Sequence, residues 1–517
     1  MSMDKTLQDY RRLSAGLDFE TRALIGGRFV DAASGQRLDT VNPANGARLA
    51  SIASCGAADV DQAVGAARRA FDRGDWSRAS PKHRKKVLLR LADLVEDNLE
   101  TLALMESLDS GKPIRDALSA DLPDMIDSLR WHAEAADKLY DQVAPTAPDV
   151  VAMIVREPIG VVGAVLPWNF PIYLAGWKIG PALASGNSIV IKPAEQTSLT
   201  ALMLGRLALE AGIPDGVLNI VPGYGETVGQ AMGRHRDIDC ISFTGSGEVG
   251  RLFLKYSAES NLKRVVLECG GKSPALVLAD AFDLPRVARQ VATGALFCQG
   301  ENCSAGSRLI VHRSRKDELL EEVRRAFDEW VVGDPLDPAT RVGALIEPGH
   351  MRRVLGYIAG GREQGARLVH GGAQVRQDSG GSFVEPTIFD GVLPSMTIAR
   401  EEIFGPVLSV LEFDDLAQGV AIANDTSYGL ASSVYTSNLD SAHGVAKSIR
   451  AGTVSINCFS EGDTGVPFGG YKESGFGGRE KSLLAHDQYT ETKTIWMQLG
   501  AAGNKNNQEH REEYTWR

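Results

Sequence analysis

The chain has little of what several protein classes require. Its 517 residues include only six cysteines, at Cys55, Cys240, Cys269, Cys298, Cys303 and Cys458. None forms a CxxC pair and none groups with histidine, so no metal site is expected. No apolar run approaches the ~20 residues that cross a bilayer. The opening stretch MSMDKTLQDYRRL is charged and lacks the apolar core of a secretory signal. The expectation is therefore a reducing cytoplasm and free thiols, with Cys298 and Cys303 near enough in sequence to pair on oxidation. A basic excess is missing too. The net charge is −11, which opposes nucleic-acid binding. There is no internal repeat.

What is present is alternation. VVGAVLP (161–167), SIVIK (188–192), VLNIV (217–221), DCISFT (239–244) and KRVVLE (263–268) read as buried strands. Between them lie helical stretches such as SLTALMLGRLALEAG (198–212), closed by Gly212 and Pro214. Nearly continuous apolar strands alternating with helices imply a parallel sheet covered on both faces. The pattern resumes on a new scale beyond residue 270. PALVLAD and SRLIVH (307–312) read as strands, and RKDELLEEVRRAFDEWV (315–331) as an amphipathic helix. A domain boundary is expected near 270. The segment 335–395 reads as loop-rich. YTETKTIWMQL (489–499) alternates like a strand, far from any parallel partner, and is expected to pair across a subunit boundary. The last residues read as a polar tail.

Two side chains suggest covalent chemistry on a carbonyl. Cys303 lies in FCQGENCSAGSR and Glu268 in VVLECGGKSP. A thiol can attack and a carboxylate can act as a base. A cysteine taken alone is more often a small buried hydrophobe. GSGEVG (245–250) follows a strand and opens a helix, as a pyrophosphate-binding turn does, although a plain glycine-rich turn reads the same. The ribose ligand about 20 residues on would then be Glu268; the competing choice is Lys192 with Glu195 in IVIKPAEQT. Spacing leaves both open. In LPWNFP (166–171) two prolines stiffen the loop that carries Asn169, either an oxyanion donor or a residue of a structural turn.

In order and spacing, LPWNFP, KPAEQT, FTGSGEVG, LECGGKSP, QGENCSAGSR, EEIFGPV and PFGGYKESG together resemble the aldehyde dehydrogenase superfamily, from about residue 25 to 496. The resemblance implies an α/β fold: a Rossmann-like parallel-sheet cofactor domain (20–139 and 160–270), an α/β catalytic domain (271–483), and a small β oligomerisation arm (140–159 and 484–500). Residues 501–517 would be the tail. It implies Cys303 as nucleophile, Glu268 as base, and Asn169 with the Cys303 amide as oxyanion hole. NAD would be held by Lys192 and Glu195 at one ribose, by Glu402 and Phe404 at the other, and by Gly245 and Ser246 at the pyrophosphate. Pro167, Trp168, Gly225, Gly229, Phe243 and Cys269 complete that set. Glu195 would repel a 2′-phosphate, favouring NAD over NADP.

The chain departs from the family pattern at Cys269, where leucine is usual, and at Glu301 and Asn302 beside the nucleophile. An inward-facing Glu301 would raise the thiol pKa. SLRWHAEAADK, SEGDTGVPFGGYK and TETKTIW resemble a narrower branch that oxidises amino- and guanidino-aldehydes of polyamine and arginine breakdown, among them γ-glutamyl-γ-aminobutyraldehyde, 4-guanidinobutyraldehyde and 4-aminobutyraldehyde. Asp121 and Asp124 on a tunnel-lining helix, with Glu461 and Asp463 in the loop before PFGG, would attract the cation. Tyr173, Trp177, Phe297 and Phe468 would line its path and offer cation–π faces. The alternatives are a broad-specificity or betaine-type aldehyde dehydrogenase, or a non-catalytic protein that kept the fold. A homodimer or homotetramer is expected.

Overall fold

In the computed structural model, residues 5–500 are described; the polar tail expected over 501–517 lies outside them. The first large sheet has eight strands. Its five central strands run in the order Leu218–Ile220, Ser188–Lys192, Val161–Val165, Cys240–Gly245, Arg264–Cys269, all parallel. Short antiparallel strands close the two edges. Val161–Val165 and Ser188–Lys192 are buried at every position, as expected of strands with helices on both faces. From the central strand the chain first builds outward on one side and then returns to build on the other. Its two neighbours therefore diverge at a topological switch point, where open α/β sheets bind ligands at the carboxyl ends of their strands.

The second sheet has seven strands, in the order Arg367–His370, Thr387–Asp390, Val407–Phe413, Arg308–His312, Pro274–Val277, Ala431–Tyr435, Thr453–Ile456. All neighbours are parallel except the first pair. The change of sheet falls between Cys269 and Pro274, close to the expected 270.

Two expectations are refined. The stretch 335–395 is loop-rich, yet it also holds the helix Pro348–Glu363 and four short strands. Four glycines in that helix hide its pattern, yet His350, Met351, Val354, Ile358 and Gly361 bury one face at helical spacing. The C-terminal strand also has a partner in its own chain. Thr490–Gln498 pairs antiparallel with Val150–Pro158 over nine residues, and Gln142–Ala144 adds a third strand. The two segments lie more than 300 residues apart, and they fall within the stretches 140–159 and 484–500 that the family resemblance grouped into one β arm.

Candidate active site

Four neighbouring strands of the first sheet deliver side chains to one place because each ends there. Val161–Val165 runs into Pro167, Trp168 and Asn169. Ser188–Lys192 ends on Lys192, Cys240–Gly245 on Gly245, and Arg264–Cys269 on Glu268 and Cys269. The helix Gly247–Ala258 starts directly after Gly245, capped by Ser246, whose Oγ accepts the Val249 N–H at 3.3 Å. Its free N–H groups and the positive end of its dipole face the cleft, an anion site by construction.

Cys303 arrives from the other sheet, on the loop between the helix Leu284–Leu296 and the strand Arg308–His312. That loop is wound unusually: Cys298, Gln299 and Gly300 all have left-handed φ, of 52°, 46° and 74°. A Cβ on Gly300 would lie 2.3 Å from the Gly405 carbonyl carbon. The loop is thereby pressed against the segment that presents Glu402 and Phe404.

Two cavities meet at Cys303. A cleft of about 450 Å³ is lined by Pro167, Trp168, Asn169, Gly245, Ser246 and Cys269, and by Glu402 and Phe404 across from them. A tunnel of about 190 Å³ is lined by Asp121, Tyr173, Trp177, Phe297 and Phe468. Cys303, Glu268, Thr244 and Leu174 line both. A small molecule in the tunnel and a larger one in the cleft would therefore touch at Cys303 Sγ.

The electrostatics there are unusual. Burial, and then the carboxylates Glu461, Glu268 and Glu402, push the Cys303 thiol well above its ordinary value. Glu301 does not contribute as expected. It points away, its Oε1 accepting the Ile346 N–H at 3.0 Å and its Oε2 the Gln299 amide at 3.1 Å. Cys298 and Cys303 are both free thiols. Burial, reinforced by Glu480 and offset by Lys178 and Arg479, also lifts the Glu268 carboxyl far above the carboxylate range. Its Oε1 has no hydrogen-bond partner among the described residues. Asn169 is held from two sides: its Nδ2 donates to the Glu301 carbonyl at 2.8 Å, and its own carbonyl accepts the Cys298 S–H at 3.5 Å. Among the described residues Nδ2 makes no second hydrogen bond, and Asn169 lines the cleft.

Glu402 accepts the Gly271 N–H through Oε1 at 2.9 Å. Trp168 stands edge-on to Phe404 at 5.2 Å. Lys192 donates to Glu195 at 3.0 Å and to the Pro193 carbonyl at 2.9 Å. These two do not line the cleft itself. They sit beside the turn Gly225–Gly229, since a Cβ on Gly229 would meet the Lys192 chain at 3.8 Å. Phe243 lies under the glycine turn, packed on Phe253 at 5.0 Å.

The tunnel corrects several substrate expectations. Asp463 is exposed, turned to its own loop by accepting the Gly465 N–H at 2.8 Å. Asp124 does not line the tunnel; it accepts the Trp177 indole N–H at 2.9 Å. The Trp177 and Phe468 rings already carry a cation, Lys481 Nζ, at 4.7 and 5.8 Å from their centroids. Asp121 does reach the tunnel, but fully buried and ion-paired with Lys112. Glu461 lines the wall next to Cys303.

Some residues escaped the sequence reading. Lys178 and Glu480 form a buried ion pair behind Glu268; a lysine within the otherwise apolar helix Pro171–Ala184 is the signal that marks it. His350 lines the cleft and its Nε2–H donates to the Phe404 carbonyl at 2.6 Å; nothing local in sequence reveals it.

Comparison with known proteins agrees with this geometry. Residues 29–495 match the aldehyde dehydrogenase family. The chain is 56% identical to the aminoacetaldehyde dehydrogenase of Pseudomonas aeruginosa, over 95% of this chain and 98% of that one. It resembles the structure of P. syringae AldA, an indole-3-acetaldehyde dehydrogenase in complex with NAD+ and IAA (TM-score 0.95, 53% identity, covering 96% of this chain and 100% of that one). It also resembles the γ-glutamyl-γ-aminobutyraldehyde dehydrogenase of Burkholderia cenocepacia (TM-score 0.94, 52% identity, covering 96% and 100%). By sequence over nearly its whole length and by fold, this chain belongs to the aldehyde dehydrogenase family.

Proposed function

We propose that this chain oxidises an aldehyde with a cationic tail, ammonium or guanidinium, to the carboxylic acid, through a thioester on Cys303 and with NAD as oxidant. The carrying observation is the junction itself: cleft and tunnel both open on Cys303, with Glu268 on the shared wall and Asn169 at the cleft side. The cleft suits a dinucleotide. It offers a helix N-terminus for the pyrophosphate and a Glu402 carboxylate that uses only one oxygen on its own backbone. Lys192 and Glu195 stand ready beside it for the second ribose, and Glu195 disfavours a 2′-phosphate. Bound NAD supplies the hydride acceptor.

The chain's own groups do the rest. The Cys303 thiol gives up its proton to water and attacks the carbonyl carbon as thiolate. The free Asn169 amide hydrogen and the Cys303 N–H stabilise the oxyanion. Once the thioester has formed, Glu268 takes a proton from water, and the hydroxide displaces the thiolate as the acid leaves. The cationic tail is supported by Glu461 on the tunnel wall and by the name of a relative that acts on aminoacetaldehyde. The expected outcome of a kcat/KM panel is a preference for amino- and guanidino-aldehydes over hexanal and indole-3-acetaldehyde. Equal or greater activity on these uncharged aldehydes would replace this reading with a broad-specificity enzyme.

A further inference from the structure

The carboxylates around the tunnel are not equivalent. Asp121 is neutralised by Lys112, which also rests on the Phe170 ring at 4.0 Å. Asp124, on the helix Leu122–Ala135, is spent on the Trp177 indole and feels Lys481. Glu268 belongs to the reacting centre. Glu461 stands apart. It lines the tunnel beside Cys303, and among the described residues it has no basic partner: its hydrogen bonds come from neutral groups. The donors are the Ser304 hydroxyl and the Asn302 amide, the latter at 3.4 Å, both to Oε1. Those two residues flank Cys303 on either side in sequence.

We propose that Glu461 is the residue that selects a cationic aldehyde, and that a cation seated on it readies Cys303 for attack. The first half rests on the tunnel's assignment to a cationic tail. The walls around Glu461 are aromatic, including Tyr173, Phe297, Phe459 and Phe468. A carboxylate in such surroundings lacks a counter-ion, and an ammonium or guanidinium group supplies it where an alkyl group cannot. Lys481 does not fill this role, because its ammonium lies over Trp177 and donates to the Gly462 carbonyl at 3.3 Å. The second half follows from position. Glu461 is the charge that most opposes ionisation of the thiol, ahead of Glu268 and Glu402. Other charges reach this region from the neighbouring elements: Asp121 and Lys112, Asp124, and Lys481. These are already paired or resting on rings. A cation on Glu461 cancels the largest of the charge contributions beside the nucleophile, so thiolate forms more readily once the right substrate is in place.

The test compares wild type, Glu461→Gln and Glu461→Asp with 3-aminopropanal and its neutral isostere butanal. It also follows alkylation of Cys303 by iodoacetamide against pH, with methylammonium chloride or sodium chloride at equal ionic strength. Wild type should prefer 3-aminopropanal. Glu461→Gln should lose at least ten-fold in kcat/KM on it and less than three-fold on butanal, with Glu461→Asp between. Methylammonium should accelerate alkylation several-fold near neutral pH in wild type and not in Glu461→Gln, a response that a merely structural role would not produce. If wild type itself shows no preference for 3-aminopropanal, the cationic-substrate reading fails before Glu461 is involved. If wild type shows it and Glu461→Gln keeps it, the assignment of selectivity to Glu461 is wrong. An alkylation rate indifferent to methylammonium in wild type overturns the coupling to Cys303.

Discussion

At the scale of residues, the site places two acids of very different chemistry, a thiol and a carboxylic acid, in one dry junction that disfavours the charged form of each. Burial dominates each shift, and like charges add to it. Glu268 works as a base only when ionised, and its carboxyl is lifted far above the ordinary range near 4.3. Raising the pH populates its base form, so turnover limited by thioester hydrolysis should climb with pH well beyond pH 5, where an ordinary carboxylate is already ionised. A kcat profile flat from pH 5 upward would show that Glu268 is not the limiting base. Sequence was informative here in a particular way. That Cys303, Glu268 and Asn169 lie together in one cleft was legible because their motifs are local and rigid. Asp463 was misplaced because a loop carboxylate can turn to its own backbone, as the Gly465 N–H bond shows. The cation–π site expected on Trp177 is occupied by Lys481, which is 304 residues away in sequence and therefore invisible to local reading.

At the scale of elements, the nucleophile loop is a strained piece fixed from outside. Three successive left-handed residues, two of them not glycine, cost of order 1–3 kcal/mol each where the backbone is disfavoured. Gly300 is the position where both the φ of 74° and the 2.3 Å approach to Gly405 forbid a side chain. Gly300→Ala should therefore destabilise the protein by about 2 kcal/mol or more. It should also lower kcat at least ten-fold by shifting Cys303. An unchanged melting temperature with unchanged kcat would mean that the loop tolerates another path. Strands of the first sheet were readable because continuous apolar runs are short and bounded by Gly and Pro. The helix Pro348–Glu363 was not, since its glycines mimic loop composition while its buried face is set by packing.

At the scale of the whole molecule, the fold is two parallel sheets that bring their ends to one junction, plus a three-stranded arm. The arm's strands are open to solvent and expose Val143 (72%), Trp496 (65%) and Leu499 (45%). Exposed edge strands with apolar side chains are surfaces that proteins ordinarily cover. The arm is accordingly the proposed surface for assembly with further copies. Trp496→Glu combined with Val143→Glu should shift the light-scattering mass to a smaller species; an unchanged mass would move the interface elsewhere. The chemistry proposed for the junction separates thiol attack by Cys303 from water activation by Glu268. Stopped-flow NADH formation by Glu268→Gln with saturating aldehyde tests it most directly. The account predicts a burst of about one NADH per site, steady turnover reduced at least a hundred-fold, and an acyl group on Cys303 detected by mass spectrometry of the quenched protein. Full steady turnover by this variant, with no acyl group on Cys303, would contradict it.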